Sequence, residues 1–113
     1  AALARFTYAL EADETYIIIA NGIVSATGYS PATPFDLYVT GGARETSTSA
    51  GNVDVLVFHG STDAPMVDIV ETSVPAGNIE DDISYGEFAG YLEFPEANNV
   101  LSVESMGPSV VSY

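Results

Sequence analysis

Cysteine is absent from this 113-residue chain, as is tryptophan. Without cysteine there is no disulfide framework, no thiol nucleophile and no thiolate-held metal. Lysine is missing too. The only cations are Arg5 and Arg44, set against 16 carboxylates, for a formal net charge of −14. That balance excludes nucleic acid as a partner, because phosphate contact relies on clustered Lys and Arg. Anionic membrane surfaces are disfavoured for the same reason. No apolar run approaches the roughly 20 residues of a membrane-spanning helix, so membrane insertion is not expected. A sustained 3.6-residue period is also missing, and nothing beyond a short helical turn near residues 43–47 is expected.

What is present is a set of short apolar runs. Hydrophobic residues make up 47% of the chain, enough to fold one module despite the charge. The dominant period is two. Phe6, Tyr8 and Leu10 alternate with Thr7 and Ala9; Phe35, Leu37 and Val39 alternate with Asp36 and Tyr38; Phe88, Gly90, Leu92 and Phe94 alternate with Ala89, Tyr91 and Glu93. Each reads as a half-buried strand. Thr15-Tyr16-Ile17-Ile18-Ile19-Ala20 is continuous and β-branched, which predicts a central strand covered on both faces. Residues 53–59, 66–70, 101–104 and 110–113 supply further strands. Asn21-Gly22, Gly41-Gly42, Gly51-Asn52, Ala76-Gly77-Asn78, Asn98-Asn99 and Gly107-Pro108 fall between the runs as turns. This spacing predicts an all-β fold of sandwich or barrel type. The expected core is Phe6, Tyr16, Ile18, Phe35, Leu37, Val55, Val57, Val67, Phe88 and Leu92. The Ser/Thr/Gly-rich stretch 44–52 is the best candidate for a linker.

The most distinctive segment is His59-Gly60-Ser61-Thr62-Asp63-Ala64-Pro65-Met66-Val67-Asp68-Ile69. It reads as a strand end, a tight loop and a strand restart, with His59, Asp63 and Pro65 structuring the loop. It is followed by Ser84-Tyr85-Gly86-Glu87-Phe88-Ala89-Gly90-Tyr91-Leu92-Glu93-Phe94-Pro95, then by Leu101-Ser102-Val103-Glu104 and Val110-Val111-Ser112-Tyr113. In that order these segments resemble the opening half of a tandem domain of bacterial surface proteins, domain of unknown function 4397. Residues 11–22 and Phe35-Asp36-Leu37-Tyr38-Val39 resemble its closing half. The resemblance implies an immunoglobulin-like β-sandwich and a repeated, non-enzymatic, extracellular or cell-surface setting.

Here the two halves stand in reverse order, 1–45 before 53–113, within what is expected to be a single module over 1–113. The chain opens Ala1-Ala2-Leu3 with neither initiator methionine nor signal peptide, so a mature or excised segment of something longer is expected. Either the halves close on each other, or each chain completes a neighbour by strand exchange. The second route makes other copies the partner, with Phe6, Tyr8, Leu10, Val110, Val111 and Tyr113 as self-assembly residues.

Three chemical readings compete with a purely structural one. His59, the only histidine, lies near Ser61, Asp63 and Asp68, but one tight loop rarely gives triad geometry and no G-x-S-x-G elbow is present. No catalytic residue is therefore assigned, and no cofactor is expected apart from calcium. Asp63, Asp68, Glu80, Asp81 and Asp82 are the candidate calcium ligands, although Glu80-Asp81-Asp82 reads equally as a solvated acidic turn. Tyr8, Tyr16, Tyr29, Tyr38, Tyr85, Tyr91 and Tyr113 could offer a stacking platform for carbohydrate. A surface so acidic repels its own copies at low ionic strength, so a salt- or cation-rich exterior is the expected setting. A structural or adhesive module is the primary reading, with a polysaccharide- or calcium-binding module as the alternative.

Overall fold

A computed structural model describes residues 4–73, 79–105 and 109–112. They form eight short strands and no helix: β1 (Ile17–Asn21), β2 (Asp36–Thr40), β3 (Asn52–Val55), β4 (Val67–Glu71), β5 (Ile79–Ile83), β6 (Leu92–Pro95), β7 (Leu101–Glu104) and β8 (Ser109–Ser112). Every pairing between strands is antiparallel. The fold is all-β, with sheets ordered β1-β2, β3-β6 and β5-β4-β7-β8. The chain divides into two compact units, Ala1–Ala43 and Arg44–Tyr113.

In the first unit β1 and β2 pair from Ile17–Thr40 to Asn21–Asp36. Gly22 follows at φ +113°, where a Cβ would stand 2.3 Å from the Pro34 carbonyl oxygen. Only glycine lets the backbone pass that close while Ile23 N–H donates to Thr33 O at 2.7 Å. Two expectations fail here. The run at 15–20 is not covered on both faces: Ile17 and Ile19 are half-buried, whereas Ile18 is 50% exposed and Ala20 also faces out, so Ile18 leaves the expected core. An apolar run permits burial but cannot supply a second layer, and β1 has one strand partner in this sheet. Nor do residues 4–10 form a strand. Phe6 packs on Phe35 at 6.0 Å, and the Tyr8 hydroxyl donates to Leu37 O at 2.6 Å, so the segment is held by side chains instead of a ladder. Alternation alone gives a strand no partner.

The second unit carries the buried core. Ile69, Ile83, Ala89, Leu92 and Phe94 cluster together, with Val55, Val57, Leu101 and Val103 packed against them. Val67, Ile69 and Glu71 of β4 point inward with strict alternation. The strand expected through 88–94 is interrupted. Leu92–Pro95 pairs with β3, but Phe88 bridges Phe58, so three residues on one side oppose two on the other between Val55–Leu92 and Phe58–Phe88. Exposed Gly90 sits at the slip, where no side chain helps to hold the ladder. Ala89 consequently turns inward, its N–H donating to Val57 O at 2.8 Å.

The acidic turn expected at Glu80-Asp81-Asp82 is instead the middle of β5. Its apolar end residue Ile83, 3% exposed, sits opposite Val67 and anchors the strand to the core. Between Val67–Ile83 and Ile69–Glu80 the register shifts, β5 carrying one extra residue. Asp82 absorbs it at φ +56°, a conformation that aspartate tolerates better than most side chains. The stretch near 43–47 forms bends and no helix.

Candidate functional site

The chemistry-bearing side chains of the second unit fall into four groups. The first is the loop after His59. That ring is 6% exposed, and its Nε2 lies 2.9 Å from the Pro65 carbonyl oxygen. A carbonyl only accepts, so Nε2 carries the proton. Glu87 O accepts from His59 N–H, and His59 O accepts from Gly86 N–H. Tyr85 meets the imidazole edge-on at 6.3 Å. Ser61 donates to Asp63 Oδ1 at 3.0 Å. The loop thus brings His59 to Pro65 and Ser61 to Asp63, as two separate contacts. Beside it lies a largely apolar cleft of about 190 Å³, lined by Val57, His59, Val67, Ile69, Ile83 and Val103 among others.

The second group is made by the β5 irregularity. The extra residue turns both Asp81 and Asp82 toward Asp68 of β4, and ligand oxygens of all three lie within 4.8 Å of one another. Asp82 N–H donates to Asp68 Oδ1 at 2.8 Å. A hydrogen bond that Asp81 can donate to Asp68 only when protonated, with repulsion from the Asp68, Asp82 and Glu80 charges, raises the Asp81 pKa above 3.8. Asp81 and Asp82 are exposed, and Asp68 is half-buried. Such a trio can share a proton or offer oxygens to a hard cation. Of the other calcium candidates, Asp63 belongs to the His59 loop, and Glu80 pairs with Ile69 at the bulge.

Sequence reasoning missed the other two groups. Glu71 is fully buried, and its Oε1 accepts from Ser73 N–H at 2.8 Å, from Val100 N–H at 3.2 Å and from the Ser73 hydroxyl. It ties the end of β4 to the approach to β7. The available signal was parity: Glu71 continues the inward positions Val67 and Ile69, so an acid falls where the pattern demands a core residue.

Arg44 forms the fourth group. Its backbone N–H donates to the Tyr91 hydroxyl at 2.8 Å, and its guanidinium carbon lies 4.3 Å from the centre of that ring. Nη1 donates to Asp54 Oδ2 at 2.8 Å and stands 3.8 Å from Glu93. Thr48 N–H also donates to Asp54 Oδ2, and its hydroxyl donates to Glu93. Desolvation pushes the Asp54 carboxyl up, but bonds from Arg44 and Thr48 outweigh it and hold the pKa below 3.8. A segment expected to be linker is thereby pinned to β3 and β6 by the second of only two cations in the chain.

Tyr8 bonds Leu37, Tyr16 accepts from Glu11 N–H, and Tyr91 lies beneath Arg44, while Tyr29 is 58% exposed. Among the self-assembly candidates, Phe6 and Tyr8 are engaged inside the first unit, and Leu10 is 56% exposed. Val110 and Val111 lie in β8, and Tyr113 lies outside the described residues. No family model, curated protein or solved structure matches this chain.

Proposed function

We propose that this chain is a non-catalytic structural module of an extracellular or cell-surface assembly. In this reading its immunoglobulin-like sandwich, related to domain of unknown function 4397, is completed by strand exchange with further copies. The observation that carries the reading is the number of open edges. Three sheets of two, two and four strands leave six of the eight described strands at a sheet edge. An edge presents backbone donors and acceptors that a further strand can satisfy. The charge of −14 supports an exterior setting, where salt screens the approach of like-charged copies. The side-chain chemistry favours structure over turnover: His59, Glu71 and Arg44 each bind backbone or neighbouring strands of their own unit.

Sedimentation and light scattering across a salt series test this. At about 0.01 M salt the screening length is about 30 Å, and at about 1 M it is about 3 Å. Particles that elongate with protein concentration at high salt are the expected result. A monomer at every salt and concentration overturns the reading.

A further inference from the structure

We infer that the joint between copies is made by β8 of one chain pairing with β1 of the next, because these are the two described strands that carry no ionisable side chain. This rests on the assembly reading above and names its contact. Ile17–Asn21 reads Ile-Ile-Ile-Ala-Asn and Ser109–Ser112 reads Ser-Val-Val-Ser. Both are sheet edges. The other four edges all bear carboxylates: Asp36 on β2, Asp54 on β3, Glu93 on β6, and Glu80, Asp81 and Asp82 on β5.

Charge decides which edges another copy can approach. Pairing strands brings opposed side chains to about 5 Å, where like charges repel and an unpaired carboxylate loses its water. In a chain of net charge −14 with 16 acids, an acidic edge that meets any edge other than β1 or β8 faces further carboxylates. β5 is defended twice, by three carboxylates and by the bulge at Asp82 that breaks its regular ladder. On the β2 side, Tyr8 already donates to the Leu37 carbonyl. β1 and β8 remain, one in each compact unit. β1 presents Ile18, half exposed, as an apolar contact surface. β8 is held to β7 along one side through Ser102–Ser112, Val103–Val111 and Glu104–Ser109, and among the described residues no strand occupies its other side. Their lengths are similar, five residues in β1 and four in β8. Because the two edges differ, the contact is heterologous, so copies add head to tail and the assembly does not close by twofold symmetry.

The test places a carboxylate on each edge of the full chain and measures the concentration at which assembly begins in about 1 M sodium chloride, where screening leaves mainly short-range terms. Ile18→Asp, Ala20→Glu and Val111→Asp should each raise it about tenfold or more, since a carboxylate is desolvated in the joint. Ala50→Glu adds the same charge on an exposed turn and should assemble like the unmodified chain. Circular dichroism matching the unmodified chain qualifies each variant, and Ala20→Glu, which alters an outward-facing residue, guards against misfolding of Ile18→Asp.

The chain's lack of cysteine allows a direct check. Ile18→Cys and Val111→Cys chains, mixed and oxidised, should form mixed disulfide dimers in preference to either homodimer. Assembly of the unmodified chain with unaffected carboxylate variants overturns the joint while leaving the assembly reading standing. A monomeric unmodified chain overturns both. A double-cysteine chain that closes on itself at high dilution, with no mixed dimer, also overturns the joint, because β1 and β8 would then belong to one another within a single copy.

Discussion

The two compact units use the same kind of strand to different effect. Among the described residues of the first unit none is buried, whereas the second buries Ile69, Ile83, Ala89, Leu92 and Phe94 in one cluster. Strand quality does not explain this, since β1 carries as many β-branched residues as β4, three of five each. What differs is how many strands each unit contributes. Two strands with Phe6 laid on Phe35 leave one face of β1 open, while β3, β4, β5, β6 and β7 of the second unit all supply side chains to the cluster around Phe94. A two-stranded hairpin is marginal in water, whatever its propensity.

The largest expected effect that sharpens this contrast is at Phe94, which is 1% exposed. Phe94→Ala should cost about 3–5 kcal/mol, a large part of the total stability of a domain. Phe35→Ala in the first unit, where the ring is half-buried, should cost about 1 kcal/mol. Urea denaturation of both variants measures the difference, and equal losses would break the contrast.

Next comes Glu71. Replacing it with Ala orphans the N–H groups of Ser73 and Val100, at about 1–3 kcal/mol for each that stays buried. Glu71→Gln keeps an acceptor and should recover part of the loss. Hydrogen exchange should speed up at residues 98–103 and leave β1 and β2 unchanged. Acceleration spread evenly over both units would mean that they open together.

The smallest effect is electrostatic, and again confined to the second unit. Asp81 has its folded pKa raised above 3.8, so its contribution to stability is present below that value and is lost as pH rises through the folded pKa. Asp81→Asn should therefore raise the melting temperature slightly at pH 7 and have no effect at pH 2. Asp54 behaves oppositely: its depressed folded pKa contributes stability above 3.8, which is lost as pH falls through the folded value. Melts of Asp81→Asn and Asp54→Asn across pH should therefore shift in opposite directions at neutral pH.

Particular residues show how far the sequence was legible. Period-two alternation located β2, because a half-buried strand writes its two faces into consecutive residues, and the short apolar runs between turns located β4 and β7. It could not supply partners, so residues 4–10 read as a strand and are none, and Ile18 read as core and is half exposed. β5 was hidden because Glu80, Asp81 and Asp82 carry the composition of a loop, while the anchor Ile83 and the ladder to β4 are non-local. Glu71 was hidden by a habit that places acids outside, although its parity placed it inside. Arg44 was read as linker because its partners Asp54, Tyr91 and Glu93 lie 10 to 49 positions away. Of the acids, the bulge selects Asp68, Asp81 and Asp82, a choice that no spacing rule contains.

The position of Arg44 also bears on how the chain meets proteolysis. A protease that cleaves after basic residues finds only Arg5 and Arg44 in the whole sequence. To be cut at the second, the chain must first draw the guanidinium away from Asp54 and the face of Tyr91, and release Thr48 from β3. The scissile bond would then be Arg44–Glu45, one residue beyond the boundary between the two compact units. Digestion at that bond is therefore governed by local opening of the second unit, and it releases the first unit almost whole.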